Sequence, residues 1–311
     1  MDLTTLPVLS LAADPADFAR DIGQSFRQFG FAMVKDHGVD DALVARAWEL
    51  TEQFFALPED EKRAYFLANG GARGYTPFKT EIAKGATRHD LKEFWHVGRD
   101  LPEGSPLAGP SMPANIWPAK PEGFEETFRA LYAALDNAGS RILSAIAVDL
   151  GLDAHWFDKP IEDGNSVLRL LHYPPIADAT EGAIRAGAHE DINLITLLLG
   201  AQEAGLELLT KKGTWMEVAP PPGAIVINIG DMLQRLTNHV LPSTTHRVRN
   251  PTAERAAHSR YSMPFFLHLR SDFVFETLPG CITAENPDRY PVSITADDYL
   301  QERLREIGLK M

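Results

Sequence analysis

Two histidines and an aspartate carry the strongest chemical signal in the chain. His189 and Asp191 flank Glu190, and His246 follows far downstream within Ser243-Thr244-Thr245-His246-Arg247-Val248. Two imidazoles and one carboxylate on a single metal leave coordination positions open, a facial arrangement suited to ferrous iron and oxygen chemistry. In a strand, side chains alternate, so His189 and Asp191 would share one face and Glu190 would point away. Glu190 is therefore a poor third ligand. The chain has ten histidines, and His239 is the one rival to His246. His246 is preferred because the next strand brings Arg260 and Ser262. His37, His89, His155 and His258 read as structural or solvated, while His96 is a candidate to line a pocket.

Arg260 and Ser262 also stand at i and i+2, so both project to one side of a strand, with Tyr261 on the other. A guanidinium presents a planar fork that pairs with a carboxylate through two hydrogen bonds, and a hydroxyl can add a third. Beside a metal cluster, that pair suits the far carboxylate of a dicarboxylic cosubstrate.

The elements that must position these groups fall into two styles. Pro7–Leu11 reads as a short strand. Phe18, Ile22, Phe26 and Phe29 then keep helical spacing up to Gly30. A second strand covers 30–34. Leu43, Ala47, Leu50 and Phe54 mark another helix, capped by Asp40 or Asp41. Leu57-Pro58-Glu59 opens a further one, with Pro at the first helical position. From Gly70 to Gly123 the chain is rich in Gly and Pro, and no element is expected. Phe124 to Leu150 draws one apolar face along a long helix that Gly151 stops.

After Pro160 the pattern turns to strands: 167–173, 194–199, 206–209, 224–229, 244–248, 259–266 and 273–275, at intervals that suit a sandwich or barrel. A helix over 296–307 closes the chain, with Thr295 and Asp298 at capping-box spacing. The expected whole is one compact unit, helical in front, β-rich behind, with a helical tail.

Composition narrows the function classes. The 311 residues carry a net charge of −13 and are 44% hydrophobic, enough for a sizeable core and unfavourable for nucleic acid as a partner. No apolar run approaches the ~20 residues a membrane-spanning helix needs, and the first residues, with no basic stretch and no long apolar one, argue against a secretory signal. Cys281 is the single cysteine, so an intrachain disulfide or a multi-thiolate zinc site is excluded. A cytoplasmic protein acting on a small molecule is expected. Oligomeric state is not readable.

Taken together, His189/Asp191, His246 and Arg260/Ser262 match the H-x-D, H, R-x-S motif of the isopenicillin N synthase-like branch of the 2-oxoglutarate and Fe(II)-dependent oxygenases, which the chain resembles along nearly its whole length. Asn228-Ile229-Gly230-Asp231, Gly30-Phe31 through His37-Gly38, and Asn286-Pro287-Asp288-Arg289-Tyr290 are also similar to segments of that family, the last to bacterial members. The resemblance implies a mainly β fold with flanking helices, built on a double-stranded β-helix (jelly roll) core. It divides the chain into an N-terminal dioxygenase region (1–120), the β-helix domain (160–270) and a C-terminal strand and helix packed on the core (271–311).

It also implies Fe(II), O2 and 2-oxoglutarate, the last held by Arg260 and Ser262 with help from Tyr173. Where many relatives have Asn, two residues before that Tyr, this chain has Leu171. The implied reaction couples decarboxylation of 2-oxoglutarate to succinate with hydroxylation, desaturation or ring closure of a small molecule, and the presence of Asp191 argues against halogenation. Alternatives are an oxidase that uses Arg260 and Ser262 for its own substrate, an ethylene-forming enzyme, and a silent metal-binding β-barrel. His172, Phe265, Tyr75 and Trp95, with Phe78, are candidates to line the substrate pocket.

Overall fold

The chain leaves its first strand, β1 (Val8–Ser10), and turns into a helix as soon as a cap is available. The Asp14 carboxylate accepts the N–H groups of Ala16 and Asp17, Pro15 takes the first helical position, and α1 (Pro15–Phe29) runs to Gly30 at φ 67°. In this computed structural model the described residues are 5–67, 72–78, 80, 91–175, 186–199, 205–249 and 257–306. Next come β2 (Phe31–Lys35) and α2 (Asp41–Phe55), whose N-terminus is capped by Asp40. Pro58 caps α3 (Glu59–Arg63) from outside instead of opening it, one position earlier than expected.

Two strands lie where none was expected, β3 (Gly74–Thr76) and β4 (Glu93–Gly98). All six residues of β4 are buried, and β4 sits between two other strands. A strand covered on both faces shows no apolar/polar alternation, so its period is invisible in the sequence. Then follow α4 (Phe124–Asp149), α5 (Asp158–Ile161) and β5 (Val167–Tyr173). The β-rich half continues with β6 (Ala186–His189), β7 (Ile195–Leu199), β8 (Leu206–Leu209), β9 (Trp215–Glu217) and β10 (Ile225–Ile229).

A short α6 (Asp231–Leu236) separates β10 from β11 (His246–Val248) and β12 (Arg260–Leu267). The chain closes with β13 (Val274–Phe275), β14 (Ile294–Thr295) and α7 (Ala296–Glu306). The Thr295 hydroxyl accepts the Asp298 N–H at 3.1 Å, which is the expected cap. Ile307, the expected helix end, lies outside the described residues.

Eight strands form the main sheet in the order β1-β2-β10-β7-β12-β5-β4-β3, and β6-β11-β8-β9 form a smaller one. The front of the chain is thus not only helical, since β1 to β4 make up half of the main sheet. That sheet has two different faces. Outward residues such as Val34, Leu170, Leu197 and Ile227 join one apolar cluster with Phe26 of α1 and Phe128 of α4. Burying each aromatic there contributes roughly 2 kcal/mol, and this packing, more than helix propensity, holds the helices in place. Inward, Phe31, Met33 and Val226 of the main sheet meet Leu206 and Leu208 of the smaller one. The two sheets therefore face each other across a shared interior, as a jelly roll does. No helix among the described residues is long and apolar enough to cross a membrane.

Candidate active site

His189 ends β6 and His246 begins β11, and the two residues stand opposite each other in the antiparallel pairing of these strands. Their ring centroids are 4.4 Å apart. Asp191 does not share a strand with His189, as the alternation argument expected. It lies beyond the end of β6, in the turn that leads to β7. What brings it in is the start of α6. The Asp191 carbonyl accepts the Asp231 N–H at 2.7 Å. A side chain at Gly230 would put its Cβ 2.1 Å from the Asn193 carbonyl oxygen, so only glycine permits this approach.

The ligand atoms of His189, Asp191 and His246 all lie within 4.8 Å of one another. Asp191 Oδ1 is 3.8 Å from His189 Nε2 and 3.9 Å from His246 Nε2. The other carboxylate oxygen, Oδ2, accepts hydrogen bonds from the Thr196 hydroxyl at 2.6 Å and the Asn228 amide at 2.8 Å. Each imidazole donates Nδ1–H to a backbone carbonyl, His189 to Gly187 at 2.7 Å and His246 to Thr244 at 3.1 Å. Those bonds fix the tautomer that leaves both Nε2 atoms as acceptors, the state a metal requires.

Burial alone would push the Asp191 carboxyl up in pKa. The two imidazoles and the bonds from Asn228 and Thr196 outweigh that and hold it below its ordinary value, so it is a carboxylate at neutral pH. Glu190 points away, its carboxylate accepting the Thr245 hydroxyl at 2.8 Å. The rival His239 hydrogen-bonds Tyr290 at 2.6 Å and stacks on its ring, outside the cluster.

Arg260 and Ser262 are both buried on the inner face of β12. Arg260 stands opposite Tyr173 in the register, with its guanidinium carbon 5.2 Å from that ring's centroid. Among the described residues its Nε and Nη1 have no hydrogen-bond partner. A buried cation with open donors is costly unless an acceptor completes it, so the site fits an incoming carboxylate. Leu171 faces Ser262 and packs with Phe94 and Tyr173, giving this corner an apolar wall.

The side chains expected to line a substrate pocket are placed elsewhere. Phe265 points out of the barrel and meets Tyr132 of α4 edge-on. Trp95 and Tyr75 pack around Phe54 of α2. His172 hydrogen-bonds Glu93 at 2.7 Å and stacks on Tyr261, again on the outward face. The inward positions are Phe94 and His96 on β4, Arg169 on β5 and Phe266 on β12, with His268 just beyond. Of these, only His96 was a candidate. Thr196 and Asn228 were not assigned roles either, although Asn228 lies in a segment that already stood out.

Residues 164–269 match the model of the 2OG-Fe(II) oxygenase superfamily, and residues 2–120 match that of the N-terminal region of non-haem dioxygenases in morphine synthesis. A 2-oxoglutarate-Fe(II) type oxidoreductase of Emericella nidulans is 32% identical over 303 residues, covering 93% of this chain and 84% of its own. The chain belongs to the 2OG-Fe(II) oxygenase superfamily. A Caulobacter crescentus structure described as of that family superposes on this oxygenase with a TM-score of 0.91 at 54% identity, covering 98% of this chain and all of its own. A Neurospora crassa protein in complex with alpha-KG gives 0.84 at 28% identity, over 96% of this chain and 95% of that one. This oxygenase is accordingly a non-haem Fe(II) dioxygenase that uses 2-oxoglutarate and acts on a small molecule.

Proposed function

We propose that His189, Asp191 and His246 hold the ferrous ion, and that Arg260 and Ser262, beside Tyr173, take the far carboxylate of 2-oxoglutarate. The observation that carries this reading is the buried Arg260 guanidinium, with two donors that have no partner among the described residues, on the same interior as a three-ligand cluster. When bound, iron with O2 and 2-oxoglutarate supplies the oxidising power for hydroxylation, desaturation or cyclisation, while the protein supplies position and exclusion.

Each residue then has a defined task. Thr196 and Asn228 occupy Asp191 Oδ2, so Oδ1 is the oxygen presented to the metal. The carbonyls of Gly187 and Thr244 aim the imidazoles. Arg260 fixes one end of the cosubstrate, and Leu171 with Phe94 keeps water from its flank. The reading places the chain in the isopenicillin N synthase-like branch and in the cytoplasm, and takes residues 1–120, 160–270 and 271–311 as parts of one unit. Purified protein with Fe(II), O2 and 2-oxoglutarate should release succinate and CO2, and Arg260→Ala should weaken 2-oxoglutarate binding far more than iron binding. Equal losses of both would refute the anchor role, and absence of succinate would refute the dioxygenase reading.

A further inference from the structure

A second buried guanidinium sits on the inner wall, far from Arg260. Arg73, just before β3, is 1% exposed. Its Nη1 donates to the Ala72 carbonyl at 2.7 Å, but its Nε and Nη2 have no partner among the described residues. Those two donors form one edge of the guanidinium, the edge that can grip a carboxylate through two parallel hydrogen bonds. Burial lowers the Arg73 pKa, and among the described residues Tyr132 acts the other way.

The position of Arg73 follows from a missing side chain. A Cβ on Gly98 would lie 1.8 Å from Arg73 Cζ, so the guanidinium rests against the one residue of β4 that leaves it room. Gly98 alternates with His96 and Phe94 and therefore belongs to the inner face. The row of paired residues that starts at Gly98 runs through Val167, Phe266 and Thr196 to Asn228. The last two are the residues that hold Asp191. Arg73 thus stands three strand spacings from Thr196, about 14 Å along the wall and less across a concave interior. Between them, the Arg169 guanidinium lies 4.4 Å from the Phe94 ring centroid and 5.4 Å from that of Phe266.

We propose that Arg73 reads the primary substrate, a small organic acid whose carboxylate pairs with Arg73 Nε and Nη2 while its body passes the Arg169 guanidinium that lies over Phe94 and Phe266, toward the His189/Asp191/His246 cluster. This rests on the reading of that cluster as the iron site. The cosubstrate and the substrate then each bring a carboxylate to a buried arginine of their own, at different parts of one wall. Specificity follows from the polar mismatch. A neutral analogue would leave the buried charge unanswered, which a site built for an anion penalises heavily.

The test uses the full chain with Fe(II) and 2-oxoglutarate, without O2 for binding and with O2 for succinate release. The probes are butyrate, octanoate, phenylacetate, cinnamate and N-acetylglycine, each beside its amide. At least one acid should raise the melting temperature and stimulate succinate release, and its amide should do neither. Arg73→Gln should weaken binding of that acid about 10- to 100-fold, the loss expected for charge-assisted hydrogen bonds, and Arg73→Lys should recover part of it. Circular dichroism and the affinity for 2-oxoglutarate, measured on the same variants, separate this from misfolding.

The inference is overturned if no acid binds, if acids and amides behave alike, or if a folded Arg73→Gln protein binds the acid as well as the wild type. Should the Arg73 variants not fold, Gly98→Ala, which displaces the guanidinium but keeps its charge, must show the same selective loss or the inference fails. Failure of the wild type to bind iron and 2-oxoglutarate would instead remove the underlying reading.

Discussion

The two faces of the main sheet are made by alternate residues of the same strands, and they do opposite work. Outward, the charged network around Glu93 is answered within the protein, although the Trp95 indole N–H has no partner among the described residues. The Glu93 carboxylate accepts from Lys62 Nζ at 2.8 Å and from the Tyr75 hydroxyl, and it bonds the His172 ring at 2.7 Å. Inward, at Arg260 and Arg73, donors have no partner among the described residues. A closed network makes a wall rigid; an open one waits for a ligand. The comparison teaches that burial alone does not mark a functional residue; on the inner face it is a buried charge with unanswered donors that points to a ligand.

The largest difference between the faces should appear in metal binding. Asp191→Ala should abolish detectable Fe(II) binding and succinate release while leaving the fold intact by circular dichroism. Metal retained at wild-type affinity would break the assignment of the inner face. On the outer face, Glu93→Ala removes the buried carboxylate that pairs with Lys62 at 2.8 Å. Glu59 remains 3.4 Å from Lys62, so the cost in denaturant unfolding should fall somewhat short of the ~3–5 kcal/mol of a fully orphaned buried charge, with little change in iron or cosubstrate affinity of the folded fraction. A selective loss of 2-oxoglutarate affinity instead would mean that the faces are not separate.

Asn228→Ala removes one of two bonds to Asp191 Oδ2, and iron affinity should drop about 10- to 100-fold, as for other groups that orient a ligand. An unchanged iron titration would show that Thr196 suffices.

The smallest effect concerns pH. Burial raises the Glu93 pKa, but hydrogen bonds from His172, Lys62 and Tyr75 more than offset this and leave it below its ordinary 4.5. A lowered carboxylate contributes stability that is present above its unfolded value and lost as pH falls through its folded value. The stability gap between wild type and Glu93→Gln should therefore be constant near neutrality and shrink below about pH 4.5. A gap that widens on acidification would contradict the direction of the shift.

Alternation also explains what could be read from the sequence. Arg260 and Ser262 at i and i+2 were correctly placed on one face of β12, and the same parity leads to Phe266 and His268. Phe265 and His172 have the opposite parity to Arg260 and Tyr173 and turn toward the helices. Asp191 came into the cluster for a reason the sequence did not display, the grip of the α6 N-terminus on its turn. Thr196 and Asn228 became recognisable only once β7 and β10 were paired, because their role depends on register. The strands β3 and β4 stayed hidden since burial on both sides erases their period, and with them the Gly98 niche that receives Arg73.

The central claim is that one metal ion is shared by His189, Asp191 and His246, with 2-oxoglutarate fixed on Arg260. Crystals grown with Mn(II) in place of Fe(II) and with 2-oxoglutarate test it most directly through anomalous scattering. The account requires a single strong peak in contact with both Nε2 atoms and Asp191 Oδ1, and a cosubstrate carboxylate on the Arg260 guanidinium. A peak away from these three side chains, or a cosubstrate that leaves Arg260 untouched, would contradict it.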